Sequence, residues 1–148
     1  MSSGISTRPS HLGLCCVDLV ATMRFYCEGL GFSPVERYDL DSSWLPGLDL
    51  SLEVAAPVAL RSQMIVLDTM KIELLHFSTP GPVGSASWHR NEIGLTHLSF
   101  VVADVDSVAA QLAELGGTIL AGTRANLGVD LVFLSDPDGV RVELMAEA

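Results

Sequence analysis

The chain is poor in positive charge. Only eight of its 148 residues are Lys or Arg, and these are scattered, against eighteen Asp or Glu, for a formal net charge of −10. A phosphate backbone or an anionic membrane surface needs clustered cations, so neither is an expected partner. The acidity serves solubility. Cysteine is also scarce. Cys15, Cys16 and Cys27 are odd in number and spaced for neither a zinc knuckle nor a redox pair. They read as small buried apolar residues in a reducing compartment. No apolar run approaches the ~18 residues of a membrane span. The opening "MSSGISTRPS" has no hydrophobic segment of the secretory type. A cytoplasmic protein is expected. What the chain does have is 49% hydrophobic residues, a composition that builds a core rather than a disordered tail.

The sequence is written twice. A shift of 86 positions places His97 on His11, Leu98 on Leu12, Asp104 on Asp18, Glu114 on Glu28 and Gly117 on Gly31, with no gap over those twenty-one positions. Each copy runs from an apolar strand to an aspartate, then an amphipathic helix, then glycine. Asp18 and Asp104 suit helix N-caps, for helices over about 19–30 and 105–115. Gly31 and Gly116-Gly117 suit C-terminal stops, where positive φ costs glycine least. Short extended segments follow, "FSPVERY" and "TIL". The ends of the copies match at a shift of 70, which places Glu143 of "VRVELMAE" on Glu73 of "MKIELLHF". The difference between the two shifts leaves sixteen extra residues in copy one, within 39–59. The expected architecture is α+β: two βαβββ modules, 8–77 and 94–148, joined by a Pro/Gly/Ser-rich linker over 78–93. Together they form a curved mixed sheet with helices outside and a concave face inside.

Alternate strand residues face opposite ways. If His11 faces the concavity, so do Gly13 and Cys15, while Leu12, Leu14 and Cys16 face the helix. In the second copy His97, Ser99 and Val101 face inward. On the closing strands Glu73 shares a face with Lys71, Leu75 and Phe77, and Glu143 with Arg141 and Met145. A carboxylate amid apolar strand neighbours is costly to bury unless it is paired or binds a metal. Two imidazoles and two carboxylates at equivalent positions make an N₂O₂ set for a borderline divalent ion: Zn, Ni, Co, Mn or Fe. His76, on the apolar back face, and His89, in the linker, receive no metal role.

These residues, from "HLGLCCVDLVATMRFYCEGLGF" to "DPDGVRVELMA", resemble the vicinal oxygen chelate superfamily. It includes glyoxalase I, methylmalonyl-CoA epimerase, extradiol dioxygenases, and the fosfomycin and bleomycin resistance proteins. The resemblance implies paired βαβββ modules, often in a homodimer. It also implies a metal held by His11, Glu73, His97 and Glu143, within one chain or shared across the dimer. Glyoxalase I usually carries an arginine four residues after its first histidine and an asparagine four residues after its second ligand. Those positions are Cys15 and Phe77 here, which speaks against glutathione.

The chemistry expected is that of a divalent-metal-dependent isomerase, epimerase or lyase, working through a metal-stabilised enolate on a small oxygenated substrate. Glu143 and Glu73 are the candidate general base and acid. Two alternatives stay open: an iron-dependent extradiol dioxygenase, and a non-catalytic binder of an antibiotic or metabolite. Lys71 and Arg141 are placed to receive an acidic group near the rim, or serve as ordinary strand-end charges. The segment around Trp44, Leu45 and Pro46 is either a lid over the mouth or a contact with a dimer partner.

Overall fold

The computed structural model describes residues 4–146. Each module is a four-stranded mixed sheet with a helix on its back. Module one comprises β1 (Leu12–Cys15), α1 (Leu19–Met23), β2 (Ser33–Asp41), α2 (Leu48–Leu52), β3 (Ala59–Leu67) and β4 (Met70–Thr79). Module two comprises β5 (Leu98–Val101), α3 (Val105–Glu114), β6 (Thr118–Asn126), β7 (Asp130–Ser135) and β8 (Arg141–Ala146). The strand orders are β1-β4-β3-β2 and β5-β8-β7-β6, so the repeat in sequence is a repeat in topology. In each sheet the first strand pairs in parallel with the last, and the others pair antiparallel. No helix among the described residues is long and apolar enough to cross a membrane.

The caps fall where the sequence places them. Asp18 accepts the amide of Ala21, and Asp104 that of Ser107, each satisfying a donor at a helix start. Helix α1 runs on through a π-helical stretch, Arg24–Gly29. Gly31 and Gly116 then turn the chain at φ 89° and 98°, a region only glycine enters cheaply. The sixteen extra residues are not all loop. They include α2, a helix too short to leave a readable period, packed through Leu48 on Val58 and Leu60.

The back faces of both sheets feed one core. Ile65, Ile72 and Leu74 of module one and Val132, Leu134, Val142 and Leu144 of module two are buried together with residues of both helices. A chain of edge-to-face rings crosses it: Phe25 on Tyr26 at 5.0 Å, Tyr26 on Phe32 at 5.9 Å, and Phe32 on Phe100 of module two at 5.9 Å. Gly117 permits a close approach between modules. A Cβ there would lie 2.7 Å from Phe25 Cε2 and 2.9 Å from the Leu112 carbonyl oxygen.

One buried polar bond ties the halves. The Tyr26 hydroxyl donates to Asp136 Oδ2 at 2.8 Å. The other carboxylate oxygen accepts the amides of Asp138 and Val140 and so holds the Asp136–Gly139 turn. Burial is the main force raising the Asp136 pKa above its ordinary 3.8; the hydrogen bonds oppose it. The native carboxyl therefore keeps its proton at a pH where the unfolded one has lost it. This contribution to stability is full below the unfolded value and declines as pH rises toward the native one. Tyr26→Phe should cost about 1–3 kcal/mol in urea unfolding. Gly117→Ala should cost a similar ~1–3 kcal/mol by overpacking. Asp136→Asn should flatten the stability profile in the acid range, just above about pH 4.

Candidate functional site

The strand faces sort as the alternation requires. On β1 and the residue before it, His11, Gly13 and Cys15 lie on the exposed side and Leu12 and Leu14 on the covered side. On β5, Leu98 and Phe100 are buried while Ser99 and Val101 are exposed. The ladders set Gly13 opposite Glu73 and Ser99 opposite Glu143. Each histidine thus meets the glutamate of its own module. His11 Nε2 lies 3.6 Å from Glu73 Oε1, and His97 Nε2 lies 3.7 Å from Glu143 Oε1.

The two half-sites are near copies, and neither pair is hydrogen-bonded. Both separations exceed hydrogen-bonding distance. They lie close to the upper end of the spacing of two donors on a common ion, roughly 3.0–3.6 Å at bonds of ~2.1 Å. The donors are held from behind. Ser10 Oγ lies 2.7 Å from His11 Nδ1, and Thr96 Oγ1 lies 2.8 Å from His97 Nδ1, leaving each Nε2 facing the carboxylate. Ser62 Oγ donates to Glu73 Oε2 at 2.7 Å, and Ser99 Oγ donates to Glu143 Oε1 at 2.7 Å. Such partners orient metal ligands in known sites. The chemistry of the donor set therefore fits a divalent ion.

The four donors do not converge within one chain. Among the described residues no three His, Cys, Asp or Glu side chains gather at one point. The reason lies in the packing: the back faces share the core, and the donor faces are left at the surface. Strands β1 and β5, which the histidines head, are both edge strands.

Sequence reasoning missed several members of the site. Ser10 and Thr96 were legible, since the 86-residue repeat extends one place upstream as a hydroxyl residue. Ser62 was not, because it reaches Glu73 from β3, through sheet register. Phe133 stacks edge-on against His97 at 5.1 Å and lies opposite Glu143 in the ladder.

The other residues named from the sequence are placed as follows. Cys15 is exposed rather than buried, because it lies on the open side of edge strand β1. Its thiol is pushed up by partial burial and then by Asp138, and that of Cys16, which is buried, to about 11, so neither is a ready thiolate. Cys27 is only partly buried. Lys71 is engaged by Glu36, 3.2 Å away, rather than free for an acidic ligand. Trp44 is exposed, and Leu48 instead anchors the insert to Leu60, with Leu40, Leu75 and Phe77 packed alongside. His76 turns its Nδ1 to the Cys16 carbonyl oxygen at 3.3 Å, away from the donor face. His89 binds Glu92 Oε2 through its backbone amide.

A duplicated βαβββ frame with a His–Glu pair on each open face defines a glyoxalase-like protein. The comparisons agree. The model of the Glyoxalase/Bleomycin resistance protein/Dioxygenase superfamily matches residues 8–144, and the chain belongs to that superfamily. The uncharacterized protein YaeR of Escherichia coli (strain K12) is 32% identical over 139 residues, covering 90% of this chain and 92% of that protein. A glyoxalase family protein from Bacillus cereus shares the fold at a TM-score of 0.81 and 20% identity, over 99% of this chain and 98% of that one. The trypanothione-dependent glyoxalase I of Leishmania major follows at 0.60 and 22% identity, over 96% and 88%.

The cap formed by α2 can be tested without a ligand. Leu48→Ala should speed amide exchange over residues 42–58 by about tenfold or more, as a truncated apolar anchor loosens its segment. Exchange in β8 should stay unchanged.

Proposed function

We propose that the protein is a divalent-metal-dependent isomerase, epimerase or lyase acting as a homodimer. His11 and Glu73 of one copy and His97 and Glu143 of the second would hold one ion. The observation that carries this reading is the matched pair of half-sites, each with its donors at the spacing of two ligands and each backed by hydroxyls. Their place at open sheet edges favours completion by a second copy. The exposed Val17, just after β1, and Val101, on β5, supply apolar surface for it.

A divalent ion bound there supplies Lewis-acid stabilisation of charge developing on neighbouring substrate oxygens. The chain's own groups do the rest. Ser62 holds Glu73 Oε2, leaving Oε1 toward His11. Ser99 holds Glu143 by Oε1, the same oxygen that faces His97. Glu143 Oε2 has no protein partner among the described residues and is the oxygen free to take a proton from a substrate carbon and return it. Phe133, opposite Glu143 in the ladder and edge-on to His97, forms an apolar wall beside the pair.

Elemental analysis of protein purified without chelators tests this reading. About one ion per chain is expected, with its loss in both Glu73→Gln and Glu143→Gln. Ser62→Ala and Ser99→Ala should each weaken the ion by about 10–100-fold in a competition titration. If Glu73→Gln keeps the ion and Glu143→Gln does not, the set is two histidines and one carboxylate, and the iron-dependent dioxygenase reading takes its place. If no stoichiometric ion binds, even after incubation with Ni²⁺, Co²⁺ or Zn²⁺, the protein is a metabolite binder instead.

A further inference from the structure

Module two bears a second chemical feature beside its half-site. A cavity of about 630 Å³ opens on its donor face, with Leu120, Leu131, Phe133 and Trp88 among its apolar lining. Its two charged lining residues are Arg90 and Arg141. Neither guanidinium has a carboxylate within 4.0 Å among the described residues, in a chain with eighteen acids and eight bases. Two like charges thus share an apolar cavity with no carboxylate between them, an arrangement that an anion would complement.

The two arginines have different tasks. Arg90 is spent on scaffold: it donates to the carbonyl oxygens of Thr96 and Ser87 and to Ser87 Oγ, bracing the approach to His97. Its pKa is lowered, first by burial and then by the charge of Arg141, with Glu92 opposing. The Glu92 carboxylate is itself bound to the His89 amide. Arg141 is less engaged. Its Nη1 donates to the Gly139 carbonyl oxygen at 2.8 Å, and its guanidinium stacks over the Trp88 ring at 5.7 Å from the centroid. Nε and Nη2 remain without protein partners among the described residues. Arg141 also precedes Glu143 by two positions on one strand, which places the two side chains on the same face about 7 Å apart.

We infer that Arg141 is the oxyanion subsite of this cavity, so that the substrate carries a carboxylate, or an equivalent phosphonate, at one end of an apolar body. The body lies on Phe133 and Leu120, and the reacting end reaches Glu143. This rests on the half-sites being the reaction centre, but anion binding itself does not require the ion. The oxyanion meets a charge-assisted, forked donor reinforced by Arg90.

Three probes of one shape test it by calorimetry: phenylacetate, benzylphosphonate and the uncharged phenylacetamide. The wild-type protein should bind at least one of the two anions about tenfold more tightly than the amide. The tighter anion names the group. Arg141→Met should abolish that preference, and Arg141→Lys should keep part of it. Metal content, measured on the same samples, should not change. Equal binding of all three probes by the wild type, or a preference that survives in Arg141→Met, overturns the inference. A preference that depends on Arg141 in a chain that holds no ion sustains this subsite while removing the metal reading.

Discussion

The sealed core between the modules governs everything else. Both sheets turn their apolar faces inward, on the same helices and the same row of rings. Gly117 and the Tyr26–Asp136 bond lock that arrangement. With the back faces spent on each other, the donor faces are left largely open among the described residues. His11 and Glu73 therefore remain 33% and 21% exposed, and His97 and Glu143 30% and 17%. A half-site of one imidazole and one carboxylate gives an ion too few ligands to hold it tightly, which is the physical argument for a second copy.

The duplication has not kept the halves identical. In module one Gly13 faces Glu73 across the ladder and offers no hydroxyl, so Ser62 on β3 serves in its place. In module two Ser99 occupies the position facing its glutamate and binds it directly. The modules also differ in what surrounds the donors. Module one carries α2, which covers part of its donor face with Leu48. Module two leaves its face open and lines it with Phe133, Trp88 and two arginines. A pocket assembled from one of each would have an apolar cap on one wall and a cationic end on the other.

Much of this was legible in the sequence because the repeat supplies its own control. A histidine and a glutamate that recur at the same strand positions reveal which face they share, and the observed burial of β1, β4, β5 and β8 alternates accordingly. The caps Asp18 and Asp104 were readable for the same reason. Other features depend on contacts that strand periodicity does not encode. Helix α2 has five residues, less than two turns. Ser62 and Glu36 act across strands, through register. Arg90 lies in a linker that composition describes only as irregular.

Mixing two crippled chains shows directly whether each site is shared between copies. His11→Ala and His97→Ala each damage both sites of their own homodimer. In a mixed dimer made by subunit exchange, both lesions fall on one site and the other is intact. The account predicts that neither variant alone holds an ion tightly, while the mixture regains about one tight ion per mixed dimer, with both sizes confirmed by sedimentation. A mixture that binds no more than its separate components would show that the four donors are not shared between copies, and would contradict the account.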